Sequence, residues 1–168
     1  DFIDIFTPGE GEEIVNELID LLEKHKKLGS TKLEFLREAA QLEGVYVPAF
    51  YDVNYNDDGT IKEVVNRENA PKIVKKRIIS DLNTVFYPEN FVVPFIEVVH
   101  DRAVSEIFRG CIRGCRFCQA GFIYRPIREK TSDVINKQAK TLCDNTGYDE
   151  ISLCSLSTSD YTEIDKLI

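Results

Sequence analysis

The chain has 168 residues, 43% of them hydrophobic and 30% charged, which suits a folded globular protein of about one domain on the usual size prior. A formal charge of −8 and a pI of about 4.9 argue against binding nucleic acid through bulk charge. No apolar run is long enough to span a membrane and no export leader is recognisable, so a cytoplasmic protein is expected.

In chain order, the apolar run Phe2-Ile-Asp-Ile-Phe6 predicts a short buried strand. Pro8, Gly9 and Gly11 then turn the chain. From Glu12, Ile14, Val15, Leu18, Ile19, Leu21 and Leu22 recur at helical spacing, with acids at the start and His25, Lys26 and Lys27 at the end. His25 reads as a helix C-terminal cation rather than a ligand. Ser30 can cap a second helix from Thr31 to Leu42, closed by Gly44. Val45–Tyr55 and Ile61–Val65, joined by Asn56-Asp-Asp-Gly59, predict a β-hairpin. Residues 66–94 are broken by Pro71, Pro88 and Pro94 and read as a connector with short extended pieces from Val74 to Ile79.

Ala103–Phe108 predicts a strand that feeds directly into a cysteine-rich loop. Ser132 or Asp133 can cap a helix from Val134 to Cys143. Glu150–Leu156 predicts a second strand, Ser157–Asp160 a turn, and Tyr161 the start of a further helix. Strand–loop–helix–strand is the opening of a parallel α/β sheet or barrel, which keeps its sites at strand C-termini. The expected fold is therefore α/β.

Three of five cysteines, Cys111, Cys115 and Cys118, lie in that loop, an arrangement that fits metal binding in a reducing compartment better than a disulfide framework. Gly110, Gly114 and Gly121 permit a tight curl. Three thiolates can hold three irons of a cubane and leave the fourth open to a small chelating ligand. A zinc site completed by His100 and a redox pair of Cys115 with Cys118 are the competing readings; His100 is otherwise expected to make a structural hydrogen bond. Cys143 and Cys154 read as small core residues. From Arg109 to Lys130 there are six basic residues and one acid, net +5, which leaves −13 for the rest of the chain. This basic island could offset cluster and ligand charge locally, or dock an acidic electron donor.

The Cys111-x3-Cys115-x2-Cys118 motif, with Phe117 before the last cysteine, resembles the signature of radical S-adenosylmethionine (radical SAM) enzymes. Glu106–Glu129, Pro8–Glu12, Ile96–Ala103 and Ser155–Tyr161 together are similar to one subgroup, which carries a cobalamin-binding-like domain before the radical SAM domain. That resemblance implies a fragment of a longer protein: residues 1–28 end a Rossmann-like cobalamin-type domain, 29–100 form a connector with a helix and β-hairpin, and 101–168 begin a partial (β/α) barrel. It implies a [4Fe-4S] cluster on Cys111, Cys115 and Cys118, and S-adenosylmethionine contacted by Phe117 and by Ser155, Ser157 and Thr158. The implied reaction is reductive cleavage of S-adenosylmethionine to a 5′-deoxyadenosyl radical, with a flavodoxin or ferredoxin as low-potential donor and cobalamin possible in the full-length protein. The turn at Ser155–Thr158 departs from the Gly-Gly-Glu of many relatives. A different class of function, a non-catalytic iron–sulfur or zinc module for electron transfer or structure, fits the same three thiols.

Overall fold

A computed structural model describes residues 2–96 and 98–167. The chain divides into two compact units, Asp1–Ile79 and Ser80–Ile168. Both contain helices and small sheets, so the protein is mixed α/β.

In the first unit, helix α1 (Ile14–Leu28) and helix α2 (Lys32–Ala39) pack against each other. Thr31, rather than Ser30, caps α2. Its hydroxyl accepts from the Glu34 N–H, and the Glu34 carboxylate takes the Thr31 N–H in return, a reciprocal capping box. These bonds, with the Thr31 hydroxyl, hold the Glu34 carboxyl below its ordinary range. Helix α2 ends at Ala39, three residues short of the periodic pattern, and irregular turns carry the chain to Gly44.

The apolar stripe of α1 meets that of α2 in a core of Ile14, Leu21, Leu36, Ala39, Val45, Val47 and Phe50. Each fully buried side chain of this size contributes roughly 1.5–3 kcal/mol relative to exposure. His25 sits in the last turn of α1, buried, with Nε2 2.9 Å from Glu38 and its ring edge-on to Phe35.

The predicted strand at Phe2–Phe6 does not form. Only Phe6 pairs, in an antiparallel bridge to Tyr46, and Phe2 is fully exposed. The reason is in the ladder. Phe6 and Tyr46 exchange both backbone hydrogen bonds at 2.8 Å, and the next such pair would fall on Pro48 in one direction and Pro8 in the other. Each proline removes a donor, so the ladder stops after one rung.

The hairpin forms as strand β1 (Tyr51–Tyr55) against strand β2 (Ile61–Asn66). It starts later than the apolar run because Pro48 opens a 3₁₀ turn over Pro48–Phe50. Its tip is set by Asp58, whose side chain accepts from the Thr60 N–H at 2.9 Å.

Within the connector, Arg77 does the work of a strand. Its N–H donates to Pro8 O and its carbonyl accepts from Glu10 N–H, both at 3.0 Å. Its guanidinium meets Glu13, the N-cap of α1, and Glu17 in the first turn of that helix. Gly9, at φ +113°, lies so close that a Cβ there would stand 2.0 Å from Arg77 O, so no other residue fits.

In the second unit, strand β3 (Ala103–Glu106) precedes strand β4 (Phe108–Arg109), a short helix α3 (Ala120–Ile123) and strand β5 (Arg128–Glu129). Helix α4 (Ser132–Thr146) and strand β6 (Ile151–Cys154) follow. Strand β6 runs parallel to β3 in the register Ala103↔Ile151 to Glu106↔Cys154, and α4, which joins them in sequence, packs on β3. The expected strand–helix–strand crossover is present.

The β4–β5 pair is antiparallel, Phe108↔Glu129 and Arg109↔Arg128, and was not apparent in the sequence, since two residues make no periodic pattern. Ile107, Phe108, Ile135 and Tyr161 form the core. Thr131, not Ser132 or Asp133, caps α4; the Ser132 N–H instead donates to Glu163 at 2.9 Å. The helix expected from Tyr161 is reduced to a 3₁₀ turn at Ile164–Lys166. Among the described residues, no helix is long and apolar enough to cross a membrane.

Candidate functional site

The cysteine loop leaves β4 and returns through α3 to β5, so the β4–β5 pair closes its base. Gly110, at φ +96°, is where the departing chain touches the returning one. A Cβ there would lie 2.9 Å from Tyr124 O and 3.0 Å from Ile127 Cα and Pro126 O, all backbone atoms. A side chain at this position would push the two limbs apart. Further out, the Cys118 N–H donates to Cys115 O at 3.0 Å, a tight turn between the last two cysteines. The Gln119 carbonyl accepts from Phe122 and Ile123 and starts α3. Arg125 lies over the Phe122 ring, 5.4 Å from its centroid.

Cys111 and Cys118 are half-buried, Cys115 is exposed, and all three are free thiols. Among the described residues, no three His, Cys, Asp or Glu side chains converge closely enough to hold one metal ion. The zinc reading, which needs the three thiols and His100 on a single ion, finds no such grouping. His100 is exposed and has its Nδ1 3.2 Å from Arg102, a hydrogen bond outside the loop. A cubane makes a different demand, because each thiolate binds a different iron and the sulfurs stand apart. Three free thiols on one short loop, flanked by guanidinium groups, are a donor set of the right chemistry for it.

Arg113 connects this loop to the turn after β6. Its Nε donates to Asp160 Oδ2 at 2.7 Å, and Nη2 contacts Oδ1 of the same carboxylate. Ser157 Oγ donates to Asp160 Oδ2 at 2.6 Å. Ser155 Oγ and Thr158 Oγ1 are 2.9 Å apart, and the Ser157 N–H donates to Ser155 Oγ at 3.3 Å. Thus the cysteine loop and the hydroxyl-bearing turn, 40-odd residues apart in sequence, meet through one ion pair.

That pair raises the Arg113 pKa, chiefly through the Asp160 hydrogen bond and to a lesser degree through the charges of Cys111 and Cys115. It lowers the Asp160 pKa, Arg113 first and Ser157 second. Asp160 is the residue that sequence reasoning missed as part of the site. It closed a turn by pattern, and nothing local signalled its partner. Phe117 is 94% exposed in this loop.

The basic island does not behave as one surface. Arg109 makes a two-point contact with Glu106 at 2.8 and 3.0 Å, Arg128 Nε donates to Pro126 O, and Lys130 is buried. Tyr161 donates its hydroxyl to Lys130 O at 2.9 Å, and its pKa is pushed up to about 12, first by burial and then by Glu163 and Glu129.

Cys154 does not lie in the core. It is exposed at the end of β6, and Cys143 is only half-buried on α4. The cause is that β6 pairs only with β3 among the described strands, which leaves its other edge and its last residue uncovered.

No curated protein and no solved structure matches the chain. Residues 1–48 match the family model described as radical SAM proteins, N-terminal, a match that lies wholly outside the cysteine loop.

Proposed function

We propose that this chain is the cluster-bearing part of a radical SAM enzyme, with Cys111, Cys115 and Cys118 holding a [4Fe-4S] cluster. The observation that carries the reading is the pairing of a three-thiol loop with a hydroxyl-lined turn through Arg113 and Asp160. The match of residues 1–48 supports it from a separate segment. When bound, the cluster supplies the electron for reductive cleavage of S-adenosylmethionine.

The protein's own residues have simpler tasks. The Gly110 contact closes the loop base, so the three thiols share one short excursion. Arg113 brings a fixed positive charge beside Cys111 and Cys115, which offsets the negative charge of ligating thiolates. Asp160 fixes that guanidinium and is itself fixed by Ser157. Ser155, Ser157 and Thr158 offer hydroxyls to the polar end of S-adenosylmethionine, and the exposed Phe117 ring offers an apolar face to its adenine.

The finer reading belongs to the same proposal. Residues 1–28 end a cobalamin-binding-like Rossmann domain, 29–100 connect, and 101–168 begin a (β/α) barrel. The enzyme works in the cytoplasm with a flavodoxin or ferredoxin donor. Cobalamin retained by a longer version of the chain, carrying its upstream segment, would support the first of these.

Anaerobic reconstitution with iron and sulfide tests the main reading. We expect a cubane signal that shifts on adding S-adenosylmethionine, reduced by about tenfold or more in each of Cys111→Ala, Cys115→Ala and Cys118→Ala and unchanged in Cys143→Ala. Tight zinc uptake by the same thiols, with no cubane signal, would instead establish the structural-module reading.

A further inference from the structure

Between β3 and α4 lies a cavity of about 200 Å³ that no cysteine lines. Its lining includes the apolar residues Val85, Phe91 and Leu142, the ion pair of Glu106 with Arg109, and Ser105, Lys130 and Gln138. These three polar residues are 3%, 4% and 2% exposed, so each is nine-tenths buried or more.

Lys130 Nζ donates to Gln138 Oε1 at 3.1 Å, which fixes the amide and turns its Nε2 away as a donor. That Nε2 and Ser105 Oγ are both buried without a hydrogen-bond partner. Buried polar groups in native proteins are nearly always paired, so two orphans in one cavity wall call for an explanation. The charge is also unbalanced. The acid on this wall, Glu106, is engaged at two points by Arg109, and no carboxylate among the described residues pairs with Lys130. Burial pushes the Lys130 pKa down, the expected result of a cation without a counter-ion.

We propose that this cavity binds a small organic monocarboxylate with an apolar body, its carboxylate set against Lys130, Ser105 and Gln138. A carboxylate accepts about four hydrogen bonds and carries one charge, which matches one ammonium, one hydroxyl and one amide N–H₂. Val85, Phe91 and Leu142 receive the apolar remainder. Phosphate fits worse, because a dianion would meet a single unneutralised cation and nothing in it would use the apolar side. Water alone satisfies the two orphaned donors but leaves the buried ammonium uncompensated.

Because no cysteine lines the cavity, metal-free protein tests this reading separately from the cluster. Benzoate is titrated into the labelled 168-residue chain while NMR follows the Gln138 side-chain N–H₂ and the Lys130 ε-methylene. We expect a saturable shift of both signals below about 10 mM, weakened by about tenfold or more in Lys130→Met and by about threefold or more in Ser105→Ala. Inorganic phosphate and neutral benzyl alcohol should give no saturable shift in the same range. Ser105→Ala deletes one oxygen and decides the matter if Lys130→Met does not fold. Absence of saturation by benzoate overturns the proposal. So does equal affinity in a folded variant, or phosphate binding as tightly as benzoate.

Discussion

Arg77 in the first unit and Arg113 in the second both hold carboxylates, yet they serve different ends. The Arg77 side chain is 18% exposed, meets two carboxylates at the N-terminal end of one helix, and belongs to a backbone bonded on both sides to the Pro8–Glu10 turn. The Arg113 side chain is 59% exposed, meets one carboxylate, and stands beside two free thiols on a loop. An arginine locked by backbone and by two acids is part of the fold. An exposed arginine beside thiols holds little of the fold and serves to set local charge, since solvent screens its contribution to stability.

The sharpest way to break this contrast is at the glycine under Arg77. Gly9→Val should destabilise the first unit by more than about 3 kcal/mol in urea unfolding, because the clash is with backbone that cannot swing away. Gly110→Val should cost less, about 2–3 kcal/mol, and should abolish cluster uptake, since its closest atoms lie in the returning limb of a loop that can shift by some tenths of an ångström.

The arginines themselves come next. Arg77→Met should lower stability by roughly 1–2 kcal/mol, the value of hydrogen bonds to charge discounted for the half-exposed glutamates. Arg113→Met should leave the urea midpoint where it is while lowering retention of a reconstituted cluster by about threefold or more. Equal loss of stability in both variants would erase the distinction.

The smallest effect is a titration. Arg113 and Ser157 lower the Asp160 pKa from its ordinary value of 3.8, so the stabilisation from that ion pair is present above the ordinary aspartate range and is lost as pH falls through the lowered value. In Arg113→Met the Asp160 carboxyl should titrate closer to the ordinary value, measurable by carbon NMR, with the acid limb of the unfolding curve shifted only slightly.

How far the sequence could be read varies with the range of the interactions involved. The existence of α1, the hairpin tip at Asp58-Gly59 and the crossover from β3 through α4 to β6 were legible, because apolar spacing and turn residues are local signals. Helix caps were misplaced by one residue, since Ser30 and Thr31, or Thr131 and Ser132, are equivalent by type and differ only in backbone angle. The strand at Phe2–Phe6 failed for a reason that needs both partners in view: its ladder meets Pro48, far along the chain.

The same division holds for the site. Residue order alone put three thiols on one glycine-punctuated loop after a strand, and the chemistry open to three neighbouring thiols follows from their spacing. Only the tertiary structure joined Arg113 to Asp160, buried Lys130 out of the basic island, and left Cys154 at an uncovered strand end. Spacing records which groups can share a loop. Burial and ion pairing depend on which distant segments pack together, and no local pattern encodes that choice.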